Sequence, residues 1–543
     1  MTQNPALTLR SLLIAATVFL LLTVLHTWPL TTDLAGLSRN DNNDTTLNEW
    51  AISWIAHQIV RDPIHLFDAN IFHPHRHTLA YSEPLILPGL VGAPLRWLGA
   101  SPVLTYNLLL LLGFVTTGLA MYVVVATWTN DRMAALLSGS LLAFNAHTLT
   151  RLPHLQAIFA VGLPLALWAF DRLVQRGQTR HAVWLALSVL MCALTSGHLA
   201  VFTFFALSAA LVARPEVWWR FQNRTVLLKL SIAAAVTLLV TLLILWPYQL
   251  LHSQEDFQRP LDGLIAANPM TYLSTAATFH YNWWSHQIFR VVTEETLFPG
   301  FTGIVLSLAT FAISPRAIST AGRMLLAIGT VGFVMSLGMA TPVYAWLYEL
   351  VPPVAGIRVA ARFGFLTILA VAGLAGLGLA KLRHRWPSRW MTIVSIGILA
   401  IASIEALHAP IPYVSYEGIP SIYQPIASDP EPGAVLDLPL YNGLSAHRNA
   451  PYMLATTTHW RPLVNGYSGH RPADFDQTVR LMNDFPADET IEALRALEVR
   501  YVVVHVNDYR SEDRARQLIT DAAQNPSIRL VATNDGHRLY RIQ

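Results

Sequence analysis

The chain has 543 residues, of which 53% are hydrophobic and only 13% charged, with a positive mean hydropathy. Soluble domains of this length seldom carry so few charges, so a mainly α, polytopic membrane protein is expected. The formal net charge of +3 gives no strong bias, no nucleic-acid partner is expected, and the single cysteine, Cys192, excludes a disulfide framework or a cysteine-based metal site.

The first hydrophobic run, Ser11 to Leu30, follows Arg10 and ends at Trp28-Pro29 without a small-residue cleavage pattern. It reads as a retained span. Just beyond it lies a polar and acidic stretch, Asn40 to Glu49, containing Asp41, Asp44 and Glu49. Leu47, Trp50, Ala51, Trp54, Ile55 and Ile59 then recur at helical spacing, and Thr46 with Glu49 has the pattern of a capping box. A tryptophan-rich apolar face of this kind is expected to lie along the membrane surface. Leu85 to Leu98 contains two prolines, Gly89, Gly92 and Arg96, so it is read as interfacial and not as a span.

Runs long enough to cross about 30 Å of hydrocarbon follow at about 102–128, 132–150, 153–172, 226–250, 298–313, 322–340, 358–380 and 390–408. Ala182 to Ala213 is interrupted by Thr195-Ser196-Gly197-His198 and reads as two short spans, bringing the total to eleven. With the N-terminus cytoplasmic, the inner loops carry fifteen basic residues against three acidic ones, Asp131, Asp171 and Glu216. That is the positive-inside pattern. Counting 85–98 as a span would invert every later loop. The outer loops are then 31–101 and 251–297, and the protein is expected in the plasma (inner) membrane.

Beyond His408 the composition changes. Residues 409–432 form a proline-rich linker, and 433–543 show strand patterns at 434–438, 501–506, 529–532 and 538–542, with helical patterns at 488–497 and 512–525. Strands alternating with helices predict a small extracytoplasmic α/β domain at the C-terminus. The transmembrane domain is residues 1–408.

Asp41 and Asp44 serve no anchoring purpose close to outer headgroups, whereas Glu49 has a structural explanation as the capping acid. Arg358 and Arg362 lie at i and i+4 at the expected outer end of a span, so both are predicted on one helical face. Two guanidiniums can hold a phosphate. Arg151 and His154 share a short outer turn and could assist, while His147 and His198 are read as packing residues. His73, His75 and His77 invite a metal assignment but are read as surface-loop residues. Trp283 and Trp284 in the second loop read as interfacial anchors, and Glu294 and Glu83 are further acids of the outer loops.

A first span, an outer loop with an acidic motif near its start, a surface helix, a proline-containing interfacial segment and a bundle of spans together resemble the C-type (GT-C) glycosyltransferase superfamily. The likeness is to its protein mannosyltransferase-like and RgtA-like branches. The stretches Asp68 to Pro74, Tyr81 to Leu85, Arg461 to Gly469 and Tyr501 to His505 are similar to such loops and to the outer domain of YfhO-like membrane proteins. The resemblance implies a catalytic aspartate in the first loop, Asp41 or Asp44, and a sugar donor on polyprenyl phosphate. It also implies an inverting transfer of a hexose or pentose to an envelope glycan, lipid or protein acceptor. The sequence lacks the compact Asp-Asp or Asp-Glu dipeptide of many members. A divalent cation (Mg or Mn) held by Asp41 and Asp44 stays open, since some members use one. Chemistry of this kind needs a carboxylate to take the acceptor proton and cations to receive the departing phosphate. Arg358, Arg362, Arg151 and His154 are the expected phosphate ligands; Glu49, Glu83 and Glu294 are secondary.

No Walker loop or dinucleotide fingerprint precedes a helix. The alternatives are a transporter or flippase of lipid-linked glycans and a non-catalytic envelope scaffold. The first would require ionisable residues deep within the spans, where few occur.

Overall fold

The computed structural model describes residues 4–39, 43–219, 223–255, 263–280, 285, 296–313 and 318–543. The chain forms two compact units. One comprises Met1–Leu34, Asn107–Leu245 and Gln258–Pro412; the other comprises Ala35–Tyr106, Trp246–Phe257 and Tyr413–Gln543.

The first unit is helical, and each run read as a span contains helix, although 132–150, 153–172 and 226–250 are broken and the run from 358 becomes α-helical only at Gly364. By length and composition, five helices can cross a membrane: Leu9–His26, Pro102–Thr129, Leu155–Arg176, Arg224–Ile244 and Ala360–Arg385. Shorter apolar helices accompany them at Arg132–Ala143, Thr179–Thr195, Gly197–Val212, Phe301–Ala312 and Thr320–Ser336. The protein is a multi-pass membrane protein. Ser196 ends one helix and caps the next, accepting from Leu199 N, so the interrupted run is two helices.

Helix Gly364–Arg385 is largely buried and packs on Arg132–Ala143, Phe301–Ala312 and Thr320–Ser336. Small residues let the backbones approach: a Cβ at Gly378 would overlap the Leu306 carbonyl. Hydroxyls join the helices, with Ser138, Ser307 and Thr310 donating to the carbonyls of Ala372, Val371 and Leu374 at 2.7, 3.0 and 2.7 Å. Close packing and interhelical hydrogen bonds are what hold helices together where the hydrophobic effect between them is weak.

The second unit is built around helix Asp44–Arg61, and here the structure departs from the amphipathic surface helix. Every residue from Thr45 to Ala56 is buried. Trp50 and Trp54 donate their indole N–H to Asn70 Oδ1 (3.3 Å) and the Leu66 carbonyl (2.9 Å) instead of facing lipid. Helix Ile86–Trp97 packs on it, with Trp97 Nε1 donating to the Ala56 carbonyl at 2.9 Å. The capping box is also absent. The helix begins at Asp44 with Asn43 as N-cap, leaving Thr46 and Glu49 inside it.

Strands β1 (Leu37–Ser38) and β2 (Val414–Ser415) pair antiparallel. The strands β3 (Ala434–Leu438), β4 (Val499–His505), β5 (Ile528–Asn534) and β6 (His537–Ile542) form one mixed sheet in the order β3-β4-β6-β5, with β3 and β4 parallel. Helices Asp488–Ala496 and Glu512–Gln524 connect within it, close to the expected bounds. Part of the proline-rich segment docks on the sheet: buried Tyr423 donates to Asp437 Oδ1 at 2.5 Å, an atom also 2.7 Å from His505 Nε2.

Candidate functional site

In the helical unit a pocket is lined by His147, Arg151, His154, Gln156, Ser196, His198, Phe202, Arg362 and Phe365, among others. Three stretches of chain build it, each for a local reason.

The first is 144–161, where the expected continuous helices break. Helix Arg132–Ala143 stops at Phe144, and Asn145 starts a new short helix, Ala146–Leu149, its Oδ1 accepting from His147 N and Thr148 N at 3.1 Å each. Thr148 Oγ1 closes a true capping box. Successive turns follow, Arg151 N to Thr148 O, His154 N to Arg151 O and Ala157 N to His154 O, which stack Arg151 and His154 three residues apart. The next break, before helix Gly162–Arg176, is satisfied by Thr117, whose Oγ1 donates to Ile158 O and accepts from Ala160 N. Irregular backbone at membrane depth needs such partners.

The second stretch is the Ser196 turn, which brings Ser196 and His198 to the pocket. The third is the approach to helix Gly364–Arg385. Here the expected helical face carrying Arg358 and Arg362 does not form. Val359 instead forms a β-bridge with Ile265: Ile265 N donates to the Arg358 carbonyl at 2.9 Å, and Ala361 N donates to the Ile265 carbonyl at 3.2 Å. A 3-10 turn, Ala360–Phe363, then carries Arg362 into the pocket lining, while Arg358 stays exposed and outside it. Backbone pairing with a distant segment overrides the i, i+4 geometry. Phe363 holds the turn against Phe202, ring centroids 4.8 Å apart.

Among the described residues the pocket lining therefore holds two guanidiniums, three imidazoles and no carboxylate. Arg151 is buried, at 5% exposure, and His147, between the apolar helices, is buried at 4%. Among the described residues, His147 Nδ1 has no hydrogen-bond partner. Such a lining is suited to an anion. Sequence reasoning brought Arg151, His154 and Arg362 forward and set aside His147 and His198. The only local signal for His147 was the Asn145-to-Thr148 cap.

The acids fall elsewhere. Asp41 and Glu294 lie outside the described residues, as do Trp283 and Trp284. Asp44 opens helix Asp44–Arg61, and Tyr467 donates its hydroxyl to Asp44 Oδ1 at 2.6 Å. Glu49 is buried at 2% exposure and accepts from Ser38 Oγ at 3.2 Å. Burial pushes its carboxyl up to about 8, against the smaller opposing effect of the Ser38 bond. Glu83 lies near Tyr248, whose hydroxyl is raised well above its ordinary value by burial and then by that carboxylate. The three histidines of 73–77 diverge, to the Leu497 carbonyl, Asp474 and Asp68, each at 3.0 Å. Among the described residues no group of three or more His, Cys, Asp and Glu side chains could hold a metal ion.

These features define a multi-pass membrane protein with an anion-suited pocket in its helical unit. The structure is similar to that of the arabinofuranosyltransferase AftD from Mycobacteria, with a TM-score of 0.57 and 18% identity over 99% of this chain and 40% of that one. The chain thus spans less than half the length of AftD. Weaker likenesses are to the Archaeoglobus fulgidus oligosaccharyltransferase in complex with Zn and sulfate (TM-score 0.49, 15% identity, 91% and 68% covered), and to ArnT from Cupriavidus metallidurans bound to undecaprenyl phosphate (0.48, 11%, 98% and 97%). No protein-family profile matches the sequence, and comparison with curated proteins gives no significant match. The likeness to AftD is one of fold.

Proposed function

We propose that the protein is an inverting glycosyltransferase that moves a sugar from a polyprenyl-phosphate donor to an envelope acceptor at the outer face of the plasma membrane. The observation that carries this reading is the meeting of Arg151, His154 and Arg362, from separate turns, in the lining of one pocket. The likeness to AftD in fold, and the undecaprenyl phosphate bound by ArnT, agree with a lipid-linked donor.

In the proposed reaction the acceptor hydroxyl oxygen attacks the anomeric carbon, and Asp44 or Asp41 takes the hydroxyl proton. The bond from the anomeric carbon to the phosphate oxygen breaks, and the lipid phosphate leaves with one more negative charge than the phosphodiester carried. The two guanidinium groups of the lining favour that added charge. Binding that strengthens as the charge develops lowers the barrier. The opposite orientation of the membrane, with the N-terminus outside, would break the charge asymmetry of the loops.

The test is full-length protein in nanodiscs supplied with polyprenyl-phosphate-linked sugars and an envelope extract. The reading requires a new glycosidic bond and an equal amount of released polyprenyl phosphate. Movement of intact lipid-linked sugar across vesicle membranes, without bond formation, would replace it with a flippase.

A further inference from the structure

His147 is a buried pocket residue whose bonding is unexplained by packing among the described residues. It sits in the four-residue helix that Asn145 caps, and its ring is within 5.8 Å of Phe365, tilted by 35°. The residue is 4% exposed, yet Nδ1 makes no hydrogen bond among the described residues. A purely structural histidine in that position normally finds a backbone or side-chain partner, since an unsatisfied buried polar group is costly. Arg151 and His154 lie on the following turns, and Arg362 approaches from the far side of the pocket.

An imidazole carries at least one N–H, and which nitrogen holds it is set by what each nitrogen meets. Neighbouring guanidiniums cannot accept a hydrogen bond. An anion's oxygen can, and it would be drawn to the same place by both arginines. Resting on the donor-phosphate reading above, we infer that His147 donates its Nδ1–H to a phosphoryl oxygen held by Arg151 and Arg362, so that it acts as a ligand of the phosphate and not as a packing residue. Its role is directional. That donor fixes which phosphoryl oxygen faces the helix.

The same chemistry would suit a lipid phosphate or free phosphate, and the two are separable. Full-length protein in nanodiscs would be titrated with undecaprenyl phosphate and, separately, with inorganic phosphate. Three forms are compared: wild type, His147→Ala, and His147→Asn, whose amide N–H lies near the position of Nδ1. Thermal midpoints without ligand verify folding. The inference expects His147→Ala to bind undecaprenyl phosphate at least about tenfold more weakly, and His147→Asn to stay within about threefold of wild type. Equal binding by all three forms, or equal loss in both variants, overturns it. Wild type binding inorganic phosphate as tightly as the lipid supports the ligand role of His147 but removes the lipid donor. Wild type binding neither probe overturns both readings.

Discussion

Tyr467 donates its phenolic hydrogen to Asp44 Oδ1 at 2.6 Å, joining positions 423 residues apart in the chain. The acidic loop after the first span is thereby tied to the glycine-containing turn 465–469 of the C-terminal segment. Gly466 makes this approach feasible, since a Cβ there would collide with the Phe72 ring. If Asp44 is the base, Tyr467→Phe should lower kcat by about tenfold, the order of one hydrogen bond to a charged group, and leave donor KM unchanged. A change in KM alone, measured by sugar transfer at varied donor, would assign Tyr467 to binding.

Arg362 and Arg358 separate the pocket from its surroundings. Arg362→Ala should weaken undecaprenyl phosphate binding by at least about tenfold, with Arg362→Lys intermediate because a single ammonium lacks the guanidinium fork. Arg358→Ala should bind as wild type, since that side chain is exposed and absent from the lining. Equal losses at the two positions in a titration would contradict the assignment.

Glu49 gives a pH signature. Its folded carboxyl titrates at about 8 against 4.5 for the free group. Between those values the folded protein keeps a proton that the unfolded chain releases, so this group makes stability fall as pH rises, by up to about 1.4 kcal/mol per pH unit. Glu49→Gln copies the protonated form and removes the effect. Its thermal midpoint should match wild type near pH 4 and exceed it increasingly toward pH 8; parallel melting curves would contradict this.

Glu405 caps helix Phe301–Ala312 from a distant part of the chain. Its Oε1 and Oε2 accept from Phe301 N (2.5 Å) and Thr302 N (3.1 Å), and His280 Nε2 lies 3.6 Å from Oε1. A carboxylate on a helix N-terminus satisfies otherwise unpaired donors. Glu405→Ala should lower stability by about 1–3 kcal/mol, read as a drop in thermal midpoint, and Glu405→Gln by less. No drop for Glu405→Ala would mean the helix end is satisfied by other groups.

Much of this architecture was legible because hydrophobic length and periodicity act locally. The apolar runs became helices, and the strand patterns near 434–438 and 501–506 became adjacent parallel strands. What the sequence left hidden depended on partners far along the chain. Periodicity in 47–59 indicated a buried face but not its neighbours; Asn70 and Leu66 take the tryptophan N–H groups that a membrane surface was expected to receive. Spacing put Arg358 beside Arg362 only if the helix continued, and the bridge to Ile265 ends it. His147 looked like packing because its arginine neighbours include one more than 200 positions away, in a turn no local pattern announces.

The central claim is that an aspartate of the first loop removes the acceptor proton while the helical pocket receives the phosphate. The most direct measurement is sugar transfer from a polyprenyl-phosphate donor by folded, membrane-inserted Asp44→Asn and Asp41→Asn proteins, with undecaprenyl phosphate binding measured on the same samples. The account predicts that one of the two variants loses transfer by at least about a hundredfold while both keep wild-type phosphate binding. Full transfer by both variants would contradict it.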